Sequence, residues 1–417
     1  MTKPQKLLLL LTGINMLNYL DRYVVSSVLE PIGLSLRLSD YQMGWIQPMF
    51  LVGYMLAAPL FGFLGDRMNR ARLVAFGIAL WSLATAGAAL VHSYPTLLMT
   101  RSLVGVGEAA YAALGPAMLS DCFPEHERAA KFTWFYLAIP VGSALGFGLG
   151  GLVAGHWGWR AAFLVSGLPG LLLAAYMAFQ ADPVRGAFDT MVDAVANAPF
   201  AARLKAIFTN RIWLACTGSY VAYTFAMGVL TAWGPTLLQR VHHADLKDVG
   251  LFFGAITVLT GIAGTFAGGK LTDRLQHRWP DAGVWISGLT LLAAAPLVAL
   301  ALRSSSLHLA YAAFSLGLLF LFVNTSPVNA LTVSCIPSSI RATGVALNVL
   351  LIHLMGDALS PEWVGRRSTM LTLGGLDRGA ALAQAMHIAL PAIVASGLLL
   401  WWARGWKPSH HVPEATA

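Results

Sequence analysis

Cysteine is scarce and unpatterned. Cys122, Cys216 and Cys335 are scattered through 417 residues, at spacings that suggest neither a disulfide framework nor a metal site. The histidines are dispersed, mostly at loops, and no Walker-type phosphate loop occurs. Those absences argue against a membrane-embedded lipid enzyme, which needs a nucleophile and base or clustered metal ligands, and against an ATP-driven pump. No cofactor or metal is called for. Charge is scarce as well: 11% of residues are Asp, Glu, Lys or Arg, where soluble domains carry about 25%. With 57% hydrophobic residues and a mean hydropathy of +0.66, the chain reads as an all-α polytopic membrane protein.

Apolar runs near 20 residues lie at about 7–29, 41–64, 72–91, 95–118, 130–153, 160–180, 212–234, 247–271, 283–302, 307–328, 342–360 and 383–403. Residues 361–382 read as a long, partly polar connection before the last run. The lysines preceding the first run do not make a signal peptide, because the run is too long and lacks a cleavage site. It is expected to stay as the first helix.

The net charge of +8 does not point to nucleic acid, because its distribution follows the membrane. With both termini inside, the inner segments hold Lys3, Lys6, Arg67, Arg70, Arg72, Arg128, Lys131, Arg185, Arg203, Lys205, Arg211, Lys270, Arg274, Arg278, Arg341, Arg404 and Lys407. The outer segments hold only Arg37, Arg160, Arg240, Lys247, Arg303, Arg366, Arg367 and Arg378. This is the positive-inside bias. Trp401, Trp402 and Trp406 read as interfacial anchors at the end of the last helix.

The one clear break in composition runs from 181 to 211, with Asp182, Pro183, Arg185, Asp189, Asp193, Pro199, Arg203 and Lys205. It is expected to be a cytoplasmic linker between an N-terminal six-helix bundle, 1–180, and a C-terminal one, 212–417, that carries a short tail. A motif recurs on either side: GFLGDRMNR (Gly62–Arg70) and GGKLTDRLQHR (Gly268–Arg278). Loop charge bias accounts for the basic residues but not for the matched glycine and Asp-Arg. Internal repeats of this kind mark secondary transporters. Asp66, Arg67, Arg70, Asp273, Arg274 and Gly344 are accordingly candidate gating residues, with Asp66 expected to cap the start of the eleventh helix.

In the fifth run Gly142, Gly146 and Gly150 recur every fourth residue, and Gly151 and Gly155 continue a neighbouring row. Such rows let helices approach closely in lipid; close packing and a rocking seam both fit.

Four charges lie within apolar runs of the first third: Asp21, Arg22, Arg101 and Glu108. Charge at that depth is expensive and is a functional-site hypothesis by default. Arg101 and Glu108 sit about 10.5 Å apart along one helix and nearly share a face, while Asp21 and Arg22 point about 100° apart. Asp21 with Arg101 and Arg22 with Glu108 or substrate is one arrangement, and sequence does not choose. Carboxylates whose burial and arginine contacts change with conformation suit proton coupling. Arginine suits an anionic headgroup. The second half offers mainly uncharged polar groups: Tyr220, Tyr223, Thr224, Thr231, Asn324, Asn329, Asn348 and His353. A cavity charged on one wall and apolar on the other suits an amphipathic ligand. Tyr19, Tyr111, Tyr223, Met227, Thr231, Asn324, Asn329 and His353 are the candidate cavity residues, and Trp233, Phe225, Phe252 and Phe253 candidate lining for an alkyl chain.

These motifs resemble the major facilitator superfamily. LNYLDR (Leu17–Arg22), RSLVGVGEAAY (Arg101–Tyr111), IPVGSALGFGLGG (Ile139–Gly151) and FGAITVLTGIAGTFAGG (Phe253–Gly269) resemble its Spinster branch. The resemblance implies twelve transmembrane helices in two six-helix bundles and alternating access. It also implies proton-linked movement of lysophospholipids or sphingosine-phosphate-like lipids, with Asp21 and Glu108 for the proton and Arg22 and Arg101 for the headgroup. A monomer in a bacterial inner membrane is the matching expectation. Organic-anion and proton symporters carry a similar Asn-Tyr-x-Asp-Arg stretch and form the alternative, and a channel is a further one.

Overall fold

The computed structural model describes residues 2–185, 187, 200–336 and 341–403. Asp189, Asp193, Pro199, Arg404, Trp406 and Lys407 lie outside the described residues, as do the side chains of Arg128, Arg203 and Arg341. Among the described residues all regular structure is helical. Helix α1 spans Lys3–Ser27. It is followed by α2 (Asp40–Gly65), α3 (Arg70–Leu90) and α4 (Tyr94–Ser120), α5 (Glu125–Trp157) and α6 (Trp159–Ala178). Then come α7 (Arg211–His242), α8 (Leu246–Leu275), α9 (Ala282–Arg303), α10 (Leu307–Thr332), α11 (Thr343–Leu373) and α12 (Arg378–Ala403). Eleven of these are long and apolar enough to cross a membrane. The other, α1, has 25 residues but is less apolar because of Asn15, Asn18, Asp21 and Arg22. The protein is thus a multi-pass, all-α membrane protein.

The region 361–382 is not the connection expected from its polarity. Helix α11 continues to Leu373. Pro361 falls in the first turn of the continuing segment Ser360–Leu373, where its missing N–H breaks little. Within α11, residues Ile352–Asp357 form a π-helical turn. Gly374-Gly375 then ends the helix, Gly375 taking φ 97°, a conformation that only glycine adopts cheaply. Asp377 opens α12, its carboxylate accepting from the amides of Gly379 at 2.8 Å and Ala380 at 3.3 Å. Those amides, Ala380 foremost, hold its carboxyl below the usual carboxylate range.

Contacts divide the chain into two compact units. One holds Met1–Val192, Thr231–Val258 and Pro361–Ala385; the other holds Asp193–Leu230, Leu259–Ser360 and Met386–Ala417. In the first, α1 lies on α5, α2 on α4, and α3 on α4 and α6. In the second, α9 lies on α10 and on α12, where Trp401 meets Trp285 edge-on at 5.5 Å.

Both glycine rows of α5 are contact surfaces within the first unit. A Cβ on Gly142 would meet the Met16 carbonyl, one on Gly146 the Leu20 carbonyl, and one on Gly150 the Ser27 hydroxyl, all on α1. The second row faces α8, where a Cβ on Gly151 would come within 2.7 Å of the Leu246 carbonyl and 2.9 Å of the Gly250 Cα. Gly148 is also on the α8-facing side, but the nearest atom to a Cβ there, Leu251 Cδ2, would be 3.9 Å away. Gly151→Val is therefore expected to destabilise the protein by about 1–3 kcal/mol through overpacking, while Gly148→Ala stays within about 0.5 kcal/mol. Thermal unfolding of the purified protein in detergent distinguishes them. Equal melting of the two variants would mean that the α5–α8 approach is not limiting.

Candidate functional site

Helices α1 and α4 place the four membrane charges of the first unit together. Glu108 is fully buried and accepts from Arg22 Nε at 2.7 Å. Arg101 and Asp21 are 2% and 1% exposed. Arg101 lies within electrostatic range of both Asp21 and Glu108, Ser166 sits beside Asp21, and Asn18 sits beside Glu108. Yet Asp21 Oδ1, Glu108 Oε1, Asn18 Nδ2 and Arg101 Nε and Nη1 are buried without a hydrogen-bond partner. Such groups cost free energy in any packed interior and need an explanation where they persist. Of the pairings that sequence does not choose among, the geometry gives Arg22 to Glu108.

Arg22 differs from the other three in reach. Its side chain is 19% exposed and is ringed by Phe50, Tyr19 and Tyr54, with guanidinium-to-ring distances of 4.7, 5.0 and 5.6 Å. Aromatic faces stabilise the cation without neutralising it. Tyr111 is not available in the same way: it is 2% exposed and its hydroxyl donates to the Leu11 carbonyl at 2.7 Å. Of the candidate alkyl lining in this unit, Trp233 and Phe253 are buried core residues, and Trp233 donates to the Pro361 carbonyl at 3.0 Å. Thr231, in the same unit, is half-buried.

The second unit gathers the uncharged candidates. Asn329 donates to Tyr220 Oη at 3.0 Å, and the Tyr220 and Tyr223 rings stack at 5.3 Å. Asn324 is buried and donates to the Leu321 carbonyl. Met227 is half-buried. His353 has a partner that the sequence reading overlooked, Asp357, at 3.1 Å from its Nδ1. The two lie on the π-helical turn of α11, a feature often found at functional sites. Their four-residue spacing was the signal available.

The candidate gating residues occupy two kinds of setting. Arg67 lies over the Phe63 ring at 3.6 Å, and Asp66 is exposed. Arg70 is buried, binding Asp121 at 2.6 Å, Asp182 at 2.9 Å and the Pro183 carbonyl at 2.8 Å. Arg185, read from sequence only as a linker charge, donates to the carbonyls of Gly65 and Met68 at 2.7 Å and to that of Asp66. It thereby satisfies carbonyls at the end of α2 that the helix leaves open. In the second unit Asp273 and Arg274 are exposed, and α8 continues through them to Leu275, whereas α2 stops at Gly65 before Asp66. A Cβ on Gly344 would meet Ile336.

At the opposite end of α2 lies a charge cluster that no sequence pattern announced. Arg240 binds Glu30 at 2.7 Å and forks onto both oxygens of Asp40 at 2.8 and 2.9 Å. Asp40 also accepts from Ser368 at 2.5 Å and from Arg378 at 3.2 Å. The segments that carry Arg240, Ser368 and Arg378 belong by contact to the first unit.

Comparison with known proteins agrees with this architecture. The family model for the Major Facilitator Superfamily matches residues 11–361. Protein spinster homolog 1 of Xenopus laevis is 34% identical over 388 residues, covering 88% of this chain and 73% of that protein. Its Homo sapiens counterpart is 35% identical over 379 residues, covering 86% and 72%. Among solved structures, a bacterial homolog to the human lysosomal transporter Spinster, in an inward-facing and unoccupied conformation, superposes with a TM-score of 0.83 at 23% identity, covering 96% of this chain and 95% of that one. A membrane transporter fold, with buried charges on its first and fourth helices, is therefore what this sequence encodes: the chain belongs to the Spinster branch of the major facilitator superfamily.

Proposed function

We propose that the protein is a proton-coupled secondary transporter of lysophospholipids or sphingosine-phosphate-like lipids, working by alternating access. The observation that carries this is the Asp21–Arg22–Arg101–Glu108 cluster. It holds two carboxylates, one of them paired, and two arginines, one of them 19% exposed while the other has unpartnered N–H groups. A phosphate brought to Arg22 would compete with Glu108 for the guanidinium. A Glu108 so displaced is a buried carboxylate without its counterion, which favours protonation. Asp21, beside Arg101, is the second proton site. Membership of the superfamily supports transport; the amphipathic cargo rests on buried charges in the first unit and polar but mainly uncharged groups in the second.

In this reading 1–180 and 212–403 are bundles related by a pseudo-two-fold axis. Asp66, just past the end of α2, and Asp273, in the last turn of α8, then take equivalent inner positions that gate the inner side with Arg67, Arg70, Arg274 and Gly344. The protein works as a monomer in a bacterial inner membrane, with both termini cytoplasmic.

Uptake into liposomes under an imposed proton gradient, with lysophospholipids and sugar acids compared side by side, tests the reading. Arg101→Ala is expected to weaken phosphate-bearing ligands roughly tenfold to a hundredfold, the equivalent of a charge-assisted contact of about 1.5–3 kcal/mol. Equal binding of a lysolipid and its chainless glycerophosphate analogue would reject the lipid and leave the organic-anion symporter.

A further inference from the structure

Between the end of α8 and the start of α9, within the second unit, lies a groove of about 600 Å³. Leu271, Leu275, Trp279, Trp285, Ile286 and Leu289 form most of its wall. Its one hydroxyl, on Thr290, is already engaged with the Ile286 carbonyl at 2.8 Å. The groove thus offers a water-soluble ligand nothing to bond. Its mouth is open: Trp279 is 60% exposed, Leu289 50% and Leu271 44%. A volume of this size lies within the range of small-ligand sites, but an apolar lining on a membrane protein suits a hydrocarbon chain.

The mouth also carries charge. Arg274, exposed at the end of α8, follows the lining residue Leu271 by three positions and is therefore its neighbour on the helix surface. It makes no ion pair among the described residues, and Arg278 follows one turn later. Lys270 lies over the Phe266 ring at 5.7 Å. Asp273 and Asp281 flank the same end, leaving a net positive charge. Cations beside an open apolar slot, with tryptophan at the rim, match a phosphate headgroup joined to an acyl chain.

We propose that this groove is a binding site for a membrane glycerophospholipid, with an acyl chain along Leu271, Leu275 and Leu289 and the phosphate on Arg274. The site is separate from the proposed transport cluster and does not depend on that cluster's role. Its occupant is a resident of the bilayer, not the cargo.

Native mass spectrometry of the delipidated full chain, titrated with phosphatidylglycerol or with diacylglycerol of the same chains, tests it. Wild-type protein is expected to retain phosphatidylglycerol in preference to diacylglycerol. Arg274→Gln should lower phosphatidylglycerol retention roughly tenfold or more, as loss of a charge-assisted contact predicts, while diacylglycerol retention is unchanged. Leu289→Trp, which fills the groove from an exposed position, should reduce both lipids. Equal retention of the two lipids by wild type, or no change in either variant, would overturn the site. So would dimers that lipid does not displace, which would mark the groove as a contact between copies.

Discussion

Glu108→Gln is expected to collapse gradient-driven accumulation while leaving the protein inserted and folded. The amide preserves the shape of the side chain and can still accept from Arg22, so the α1–α4 contact at 2.7 Å is weakened but not emptied. What disappears is the ability to exchange a proton. A one-unit pH gradient carries about 1.4 kcal/mol per proton, enough for roughly tenfold accumulation. In the variant the inside-to-outside ratio should fall toward one, whereas exchange of substrate between equal compartments survives. Asp21→Asn should do the same if Asp21 carries a proton of its own. The measurement is uptake into liposomes with and without the gradient, normalised to inserted protein. Undiminished accumulation in both variants would remove these carboxylates from proton coupling.

Arg240→Ala is expected to be the most destabilising single change. It strips Glu30 and Asp40, 8% and 4% exposed, of the guanidinium that holds them. Removing one partner of a buried ionic cluster costs about 3–5 kcal/mol, because the remaining charges stay buried and uncompensated. Arg378 supplies a second cation to Asp40 but is 41% exposed, so it offsets little of that loss. Arg240→Lys should recover only part, since an ammonium cannot bridge Glu30 and both oxygens of Asp40 as the planar fork does. Thermal unfolding of the purified variants, combined with an Arg240→Ala/Asp40→Asn double-mutant cycle, gives the coupling directly. A loss within about 0.5 kcal/mol, the scale of ordinary surface changes, would show that the cluster contributes nothing to stability.

The transmembrane plan was legible because the bilayer demands a helix wherever an apolar run approaches its thickness. That rule also explains the one misplaced element. Arg366, Arg367, Ser368 and Thr369 depress hydropathy across 361–382, yet none of them breaks a helix. The chain there carries α11 through to Leu373, with Ser368 engaged on Asp40. The α5 glycines were legible as contact rows from spacing alone. Which row meets α1 and which meets α8 was not.

Sequence by itself determined which residues are expensive to bury: Asp21, Arg22, Arg101 and Glu108 stand out because lipid tolerates a charge only where something answers it. The identity of what answers was decided by tertiary structure. Asp40 finds Arg240 200 positions away and Ser368 328 positions away, and Arg185 reaches back 120 to the end of α2. Local periodicity carries no information over such separations. Pairing depends on which helix ends the fold brings within hydrogen-bond distance, and only the packed chain holds that geometry.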